Sequence, residues 1–285
     1  MAPVLGARTT ALQALRDADL TGQTAVITGG NSGIGVETAR ALASAGAKGA
    51  FEVHQLDLAD LGSVKSFANS LQHEPRIDLL MLNAGVLGVP LSYTKDNFEL
   101  QVGTNHFGHF VLVQSLLDKL QQQGTPVRIV AVSSSLHAKP GFDIDDLNFR
   151  RRPYSRTTSY HQSKLCNILF IKELAKRLQG SNIQAFCLHP GVIPTALSRH
   201  LIPWPLTYLW KLVLYFLGKN VEQGAATSVY AATAPELNGK SGAYLADCKI
   251  ATPSVQAQDA ELAKKLWAVT EKQLQDPSAR TVGQL

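Results

Sequence analysis

A glycine-rich stretch near the amino terminus constrains the fold of this chain more than any other feature. Residues 24–28 are rich in β-branched side chains, the glycines follow at once, and a helical pattern continues to Ala45. Glycines between a strand and a helix allow a sharp turn and let a pyrophosphate approach the N–H groups at the positive end of the helix. A hydrolase elbow of the form GxSxG fails by one residue, because Ile34 stands where the second glycine is required. The stretch predicts a dinucleotide-binding turn made of Gly29, Asn31, Ser32, Gly33, Ile34 and Gly35.

Segments with strand-like and helix-like patterns alternate along the chain. The pattern predicts strands at 51–58, 77–85, 127–135 and 183–192, helices at 61–72, 97–121 and 159–178, and a further helix and strand within 225–248. Such alternation predicts an α/β fold with a doubly wound parallel sheet of the Rossmann type. Because no linker-like shift in composition interrupts residues 1–285, we expect a single domain. An N-terminal extension (1–20) would carry a short docking helix, and the tail (276–285) would be frayed.

Composition and charge exclude several classes of function. Hydrophobic residues at 45% and charged residues at 17% are typical of a globular protein with a substantial core. The net charge of +5 is mild and few aromatics accompany the basic residues at 150–156, so we expect no nucleic-acid partner. No metal-ligand spacing such as HExxH occurs, and we predict no metal site. Cys166, Cys187 and Cys248 form no CxxC pair, which predicts reduced thiols in an intracellular, cytoplasmic protein.

A tyrosine and a lysine four residues apart provide the candidate reaction centre. Tyr160 and Lys164 fall on one face of the predicted helix, where a cation beside a phenol is expected to lower the phenol pKa. A tyrosine tuned in this way can pass a proton to or from an alcohol or carbonyl oxygen. Tyr215 and Lys219 have the same spacing, but they sit in an apolar stretch broken by a glycine, whereas Tyr160 closely follows a strand that ends in serines. We therefore select Tyr160 and Lys164.

Six motifs together resemble those of the short-chain dehydrogenase/reductase family. They are TGGNSGIG, LNAG, an asparagine within TNHFGH, VSSS, YHQSK and HPGVIPT, and they occur in the family's order over about residues 24–195, with a weaker likeness to about 244. Within the family they look most like the retinol-dehydrogenase-like and WW-domain-oxidoreductase-like branch. The resemblance implies an NAD(P)-dependent oxidoreductase that interconverts an alcohol and a carbonyl.

The resemblance also implies roles for particular residues. Tyr160 would be the general acid/base, Lys164 would lower its pKa and hold the nicotinamide ribose, and Ser134 would bond the substrate oxygen. Asn105 would anchor a water in the proton relay. Residues on the adenosine side would be Asn83, Ala84 and Gly85, and those around the nicotinamide and its phosphates would be Pro190, Gly191, Ile193 and Thr195.

Other interpretations of these residues stay open. Ser133 and Ser135 are neighbours of Ser134, and only the spacing to Tyr160 favours the middle serine. Asn105 could instead cap or kink its helix. Four histidines are expected to be packing, surface or structural residues and not ligands: His106, His109, His161 and His189.

The most apolar stretch of the chain, residues 201–218, predicts a lipophilic substrate or a peripheral membrane contact. Two prolines and Lys211 make it a poor transmembrane span. Family members place a mobile substrate-covering helix here, so residues 196–222 are interpreted as an apolar lid over a retinoid-, steroid- or lipid-like substrate, with a core helix as the alternative. The helices at 97–121 and 159–178 are where related proteins form homodimers.

The chain departs from the family plan at residues 46–52. Only Gly49 and Ala50 separate the GAK sequence (46–48) from the 51–58 segment, where the family usually has another strand and helix. One hypothesis is that residues 51–57 form a strand beside the first one. Asp57, followed by Leu58, would then have the sequence spacing of a ribose-binding acid, which would favour NAD over NADP. The rival hypothesis is that the segment keeps an outer position and leaves a gap with unpaired backbone groups.

The departure leaves two functions to weigh. The first is the oxidoreductase described above. The second is a catalytically weak cofactor-binding or scaffold protein with a compromised adenosine pocket.

Overall fold

The structure, a computed structural model, describes residues 4–47, 52–193 and 218–280. Six strands form one sheet in the order of the chain: β1 (Ala25–Ile27), β2 (Leu79–Leu82), β3 (Val127–Val132), β4 (Ile183–His189), β5 (Tyr244–Ala246) and β6 (Lys249–Ile250). Strands β1 to β5 are parallel, and β6 returns antiparallel to β5. The central strands β2 and β3 are buried along nearly their whole length, as expected for a parallel sheet covered on both faces.

Helices cover both faces of the sheet. Their bounds are α1 (Ala11–Leu15), α2 (Gly33–Ser44), α3 (Leu61–Ser70), α4 (Leu100–Val102), α5 (Gly108–Gln122), α6 (Arg156–Arg177), α7 (Val221–Thr233), α8 (Val255–Gln258) and α9 (Ala260–Gln275). One face packs under α1, α2 and α7, and the other under α3, α5, α6 and α9. The predicted single-domain, doubly wound α/β fold is confirmed.

Most predicted elements are present within a few residues of their expected bounds. The long helix predicted at 97–121 is interrupted between α4 and α5 by a π-helical turn, Gly103–Phe107. The docking helix of the N-terminal extension is α1, whose Ala11 and Ala14 are buried against α7 and α2. The sequence patterns did not indicate α9, which covers α5 and α6 through Trp267 against Phe110 and Phe170.

The predicted strand at 51–58 is wrong for the described part of that range. Residues 52–57 have no regular secondary structure, and Val53 is 90% exposed. Two contacts just after this segment hold it away from β1. Leu58 packs against Gly108 so closely that a Cβ on Gly108 would lie 2.5 Å from the Leu58 carbonyl oxygen. Lys95 N also donates to the Ala59 carbonyl at 3.1 Å. The hypothesis of a strand inserted beside β1 is therefore wrong, and the described sheet ends at β1.

Several predicted features lie outside the described residues. They are Thr195, Tyr215, nearly all of the predicted lid and the last residues of the tail, while the described part of the tail forms a 3-10 turn at Pro277–Arg280. No helix within 4–47, 52–193 and 218–280 combines the length and the apolarity that crossing a bilayer requires.

Candidate active site

The glycine turn between β1 and α2 has the backbone conformation that its sequence requires. Gly29 and Gly33 have φ values of +65° and +52°, which side chains with a Cβ rarely adopt. A Cβ on Gly35 would lie 2.2 Å from the Gly29 carbonyl oxygen and 2.7 Å from Asn83 Nδ2. Helix α2 therefore begins in close contact with the turn, and its N-terminal N–H groups remain open to an anion such as a pyrophosphate.

A threonine and a histidine tie the glycine turn to the reaction centre. The Thr28 hydroxyl accepts hydrogen bonds from Asn83 N and Ala84 N, both at 3.0 Å, and bonds His109 Nε2 at 2.9 Å. His109 Nδ1 bonds the Asn105 carbonyl at 3.0 Å, and a carbonyl only accepts, so the proton sits on Nδ1 and Thr28 donates to Nε2. Burial lowers the pKa of His109 to about 4, which keeps the ring neutral. The sequence patterns missed this link, because its members are far apart along the chain.

Tyr160 and Lys164 lie on the buried face of α6, where the Ser155 side chain caps the helix. Tyr160 is 5% exposed and Lys164 is 3% exposed. Lys164 Nζ donates to the Val132 carbonyl at 3.0 Å and lies 5.6 Å from the centroid of the Tyr160 ring. Burial lowers the pKa of Lys164 to about 8 and raises that of Tyr160 to about 12. This differs from the sequence-based expectation of a lowered Tyr160 pKa, because burial penalises the phenolate more than its hydrogen-bonding neighbour Ser134 favours it.

The three consecutive serines have different surroundings. The Ser133 hydroxyl donates to the Lys164 carbonyl at 2.7 Å, and this hydrogen bond links the end of β3 to α6. The Ser135 N–H donates to His189 Nδ1 at 3.1 Å at the start of a 3-10 turn. Ser133 and Ser134 both line the cavity that holds Tyr160, and the Ser134 side chain hydrogen-bonds the Tyr160 hydroxyl. The catalytic role of Ser134 stays a prediction.

Asn105 lies beside this cavity but not on its wall. Its side chain is fully buried, with Oδ1 accepting from Val86 N at 2.8 Å and Nδ2 donating to the Val86 carbonyl and to Ser163 Oγ. It sits in the π-helical turn, as the kink interpretation expected. A Cβ on Gly85 would come within 3.0 Å of Asn105 Oδ1 and 3.4 Å of Lys164 Nζ, so Gly85 is packed between them. The role of Asn105 as a water anchor stays a prediction.

A cavity of about 420 Å³, called here the central cavity, joins the glycine turn to the reaction centre. Its apolar wall includes Leu87 and Val89. It is lined by these predicted site residues: Gly29, Asn31, Ser32, Gly33, Ile34, Gly35, Asn83, Ala84, Gly85, Ser134, Tyr160, Lys164, Pro190, Gly191 and Ile193.

The loop after β4 forms the far wall of the central cavity. Gly191 has a φ of +100°, and a Cβ there would lie 2.5 Å from Lys219 Cδ. Lys219 in turn donates from its backbone to the Val192 carbonyl at 2.9 Å and pairs through Nζ with Asp247 at 2.7 Å. Lys219, which the sequence pattern set aside with Tyr215, therefore supports this wall.

A second cavity of about 840 Å³, called here the edge cavity, lies along the edge of β1 that no described strand pairs. Asp57 and Leu58 line the edge cavity but not the central cavity. Five residues line both: Gly29, Asn31, Ala84, Gly85 and Val86. The Asp57 carboxylate accepts from Ala59 N at 2.9 Å. The predicted adenosine side thus opens into a much larger space than the central cavity.

Two more histidines have structural partners. His106 Nε2 bonds Thr270 Oγ1 of α9 at 2.9 Å, and burial lowers the His106 pKa to about 3. His189 accepts from the serine turn, and its pKa is lowered to about 4 by burial. Both stay neutral near pH 7, in agreement with the structural interpretation.

The residues that line the central cavity are suited to binding a dinucleotide. A Cβ on the glycines of the β1–α2 turn would fill the space next to the backbone, and the N-terminus of α2 points into the cavity. The buried Lys164 and Tyr160 lie at the other end of the cavity. The nicotinamide end therefore has suitable partners, whereas the adenosine end has an enlarged cavity.

Comparisons with known proteins agree with this geometry. The family model for short chain dehydrogenase matches residues 48–205. Human retinol dehydrogenase 14 is 39% identical over 289 residues, covering 88% of this chain and 85% of that protein. Human retinol dehydrogenase 12 is 41% identical, covering 88% and 86%, and the WW domain-containing oxidoreductase of Pongo abelii is 38% identical, covering 94% and 72%.

Solved structures show the same fold. An uncharacterised protein from Mycobacterium paratuberculosis has a TM-score of 0.73 at 35% identity, covering 91% of this chain and 96% of that chain. A 7α-hydroxysteroid dehydrogenase, solved with NADH and an oxo bile acid, has a TM-score of 0.65 at 20% identity, covering 82% and 96%. The chain belongs to the short chain dehydrogenase family of oxidoreductases, in the branch that includes the retinol dehydrogenases and the WW domain-containing oxidoreductase.

Proposed function

We propose that this protein interconverts an alcohol and a carbonyl compound with a nicotinamide cofactor. The observation that carries the proposal is the central cavity itself, which is lined both by Ser134, Tyr160 and Lys164 and by the glycine turn. When bound, the nicotinamide supplies or accepts the hydride.

The protein's own residues would handle the proton and the orientation of the substrate. With its pKa raised to about 12, Tyr160 is a neutral phenol near pH 7, so it can donate a proton to a carbonyl oxygen. Ser134 would hydrogen-bond that oxygen, and Lys164 would hold the nicotinamide ribose. The Val132 carbonyl fixes the lysine, because Nζ donates to it at 3.0 Å.

An apolar substrate is the part of the proposal that rests on similarity and on the cavity wall. Relatives at 39–41% identity are named retinol dehydrogenases. The central cavity has Val86, Leu87 and Val89 beside the candidate catalytic residues, and residues 201–218 are apolar in sequence. A retinoid-, steroid- or lipid-like alcohol or aldehyde would bury its chain against these groups.

The charges around the edge cavity favour NAD over NADP. The charged side chains on its described wall are Glu52, Asp57 and Glu74, and no lysine or arginine lines that described wall. Asp57 is the acid predicted at the ribose, so a 2′-phosphate beside it would be repelled, whereas a 2′-hydroxyl could donate to it. Fluorescence titration with NADH and NADPH tests this, and tighter binding of NADPH would contradict it.

The rival proposal is a catalytically weak cofactor-binding or scaffold protein with a compromised adenosine pocket, and the size of the edge cavity supports it. Without a strand beside β1, the adenosine would have fewer contacts, and cofactor affinity would fall. Cooperative thermal unfolding with a clear upward shift on addition of NADH would count against a compromised adenosine pocket. Turnover that is lost in Tyr160→Phe would count against the rival itself.

Turnover of the Tyr160→Phe variant tests the proposed reaction. We expect the wild type to change nicotinamide absorbance with some members of a panel of apolar alcohols and aldehydes, and Tyr160→Phe to lose at least about 100-fold in kcat. Tyr93→Phe is the control, because Tyr93 is exposed and lies outside the central cavity. Equal rates for wild type and Tyr160→Phe would reject the assigned role.

Location and assembly stay proposals. Cys166, Cys187 and Cys248 are all free and buried, which supports an intracellular location. A homodimer formed through α5 and α6 would have to accommodate α9, which packs on both helices within the same chain.

A further inference from the structure

The turn after β3 contains a buried histidine that contacts Ser134 and that the proposed reaction has not used. His137 is 4% exposed and lies in the 3-10 turn Ser135–Ala138, whose N-cap is Ser134. Its ring packs edge-on against Tyr244 of β5, with the two ring centroids 5.3 Å apart. A buried polar ring needs hydrogen-bond partners for its nitrogens, and both nitrogens of His137 have one.

The two partners fix the tautomer of His137. Nδ1 lies 2.6 Å from the Ser134 carbonyl oxygen, and a carbonyl only accepts, so Nδ1 carries the proton. Nε2 is then an acceptor, and Ser254 N donates to it at 3.0 Å. Burial lowers the pKa of His137 from its usual value, so the ring stays neutral near pH 7 and keeps one donor and one acceptor.

Ser134 is held at its backbone and at its side chain. Its carbonyl accepts from the backbone N–H of His137 at 3.1 Å as well as from the His137 ring. Its hydroxyl accepts from Leu136 N at 3.2 Å. The proton of that hydroxyl is therefore left to donate to an oxygen in the central cavity, where the Tyr160 hydroxyl is its partner.

The hydrogen bond from Ser254 ties Ser134 to the C-terminal part of the chain. Ser254 is the N-cap of α8, where its side chain accepts from Ala257 N, and α9 follows and packs on α5 and α6 through Trp267. The His137 ring thus connects Ser134 to a packed segment that begins 117 residues further along the chain.

We propose that His137 is a positioning residue for the reaction, which fixes the main chain of Ser134 so that the serine hydroxyl points at the substrate oxygen. The inference rests on the proposed oxidoreduction and deepens it. His137 lines neither the central cavity nor the edge cavity, so it acts through Ser134 and does not touch the substrate. A displacement of about 1 Å in such a group can cost about 100-fold in rate, so the contribution of His137 should be measurable in kcat.

Two substitutions separate the two hydrogen bonds of the His137 ring. The amide nitrogen of asparagine can replace Nδ1 and donate to the Ser134 carbonyl, whereas the amide oxygen of glutamine can replace Nε2 and accept from Ser254 N. Each variant loses one hydrogen bond, so His137→Asn and His137→Gln should have similarly lowered unfolding midpoints. With NADH and an apolar aldehyde, His137→Gln should lose at least about tenfold in kcat, and His137→Asn should stay at least about fivefold faster than it. An asparagine variant no faster than the glutamine variant would overturn the proposal.

A double-mutant cycle tests whether His137 acts through Ser134. In the Ser134→Ala background, His137→Gln should change kcat by less than about twofold, because no hydroxyl is left to orient. A loss of about tenfold in both backgrounds would overturn the proposal. The affinity for NADH, measured by fluorescence titration, should be equal in the wild type and His137→Gln within about twofold. Weakened NADH binding would indicate general damage to the cavity and would also overturn it.

The His137 ring gives a further test that needs neither turnover nor a variant. In ¹⁵N-labelled wild-type protein the ring is identified by its nuclear Overhauser contacts with Tyr244, and its proton should be on Nδ1 and not on Nε2. A proton on Nε2 would overturn the proposal. Absence of any turnover by the wild type would refute the proposed oxidoreduction and with it the use of His137. Wild-type turnover with equal rates in the two His137 variants would refute only the role of His137.

Discussion

Replacing Thr28 by valine should destabilise the protein through one lost hydroxyl. The Thr28 side chain is 2% exposed, and valine has nearly its shape, so the change removes hydrogen bonds with little change in packing. It leaves three groups without their partner: Asn83 N, Ala84 N and His109 Nε2. An unsatisfied buried polar group costs about 1–3 kcal/mol, and the two amides are only partly buried, so we expect a loss of about 3–4 kcal/mol in the free energy of unfolding.

Denaturant unfolding followed by circular dichroism measures this loss, and a thermal scan should show a midpoint lowered by about 6 °C or more. Thr38→Val is the matched control, because Thr38 is 1% exposed and its hydroxyl has no hydrogen-bond partner among the described residues. We expect the control to change stability by less than about 0.5 kcal/mol or to raise it. If Thr28→Val and Thr38→Val are equally stable, the proposed link between the glycine turn and His109 is refuted.

Three further predictions concern the central cavity. Gly35→Ala should weaken cofactor binding at least about tenfold in a fluorescence titration, because its Cβ would lie 2.2 Å from the Gly29 carbonyl oxygen; unchanged affinity would show that the turn is not the cradle. Burial lowers the pKa of Lys164 to about 8 from its usual 10.5, so the unfolded chain holds the proton more tightly than the folded protein does. The free energy of unfolding of the wild type should therefore rise between pH 8 and pH 10.5 relative to that of Lys164→Met, by about 3 kcal/mol in all. Parallel unfolding curves across that range would contradict this burial effect. Ser134→Ala should lower kcat with little loss of stability, and Ser133→Ala should lower stability by about 1 kcal/mol; the reverse pattern in paired kinetic and unfolding assays would reassign the two serines.

Sequence periodicity was sufficient for the sheet and most of its helices. Apolar runs such as 77–82 and 127–132 have few alternatives to buried strands, and the glycine turn fixes where the first crossover begins. The motifs predicted Ser134, Tyr160 and Lys164 as neighbours, and the three line one cavity; their catalytic roles stay predictions.

Tertiary contacts determined what the sequence patterns could not. Residues 52–57 have a strand-like pattern, but a strand forms only beside a partner, and the contact of Leu58 with Gly108 holds the segment away from β1. The Tyr160 pKa follows the same logic, since burial is a property of the packed structure, whereas spacing shows only the nearby cation. The side-chain partners of His106 and His109, Thr270 and Thr28, lie 164 and 81 residues away, beyond any local pattern.

The most direct test of the proposed reaction is the fate of a label on the cofactor. NADH that carries deuterium at both C4 positions of the nicotinamide is incubated with the full chain and an apolar aldehyde that it turns over. The alcohol product is analysed by mass spectrometry. We predict that the wild type places deuterium on the carbinol carbon and that Tyr160→Phe, at matched cofactor occupancy, forms that product at least about 100-fold more slowly. An alcohol product without deuterium, or equal rates of labelling by the two proteins, would contradict the proposed function.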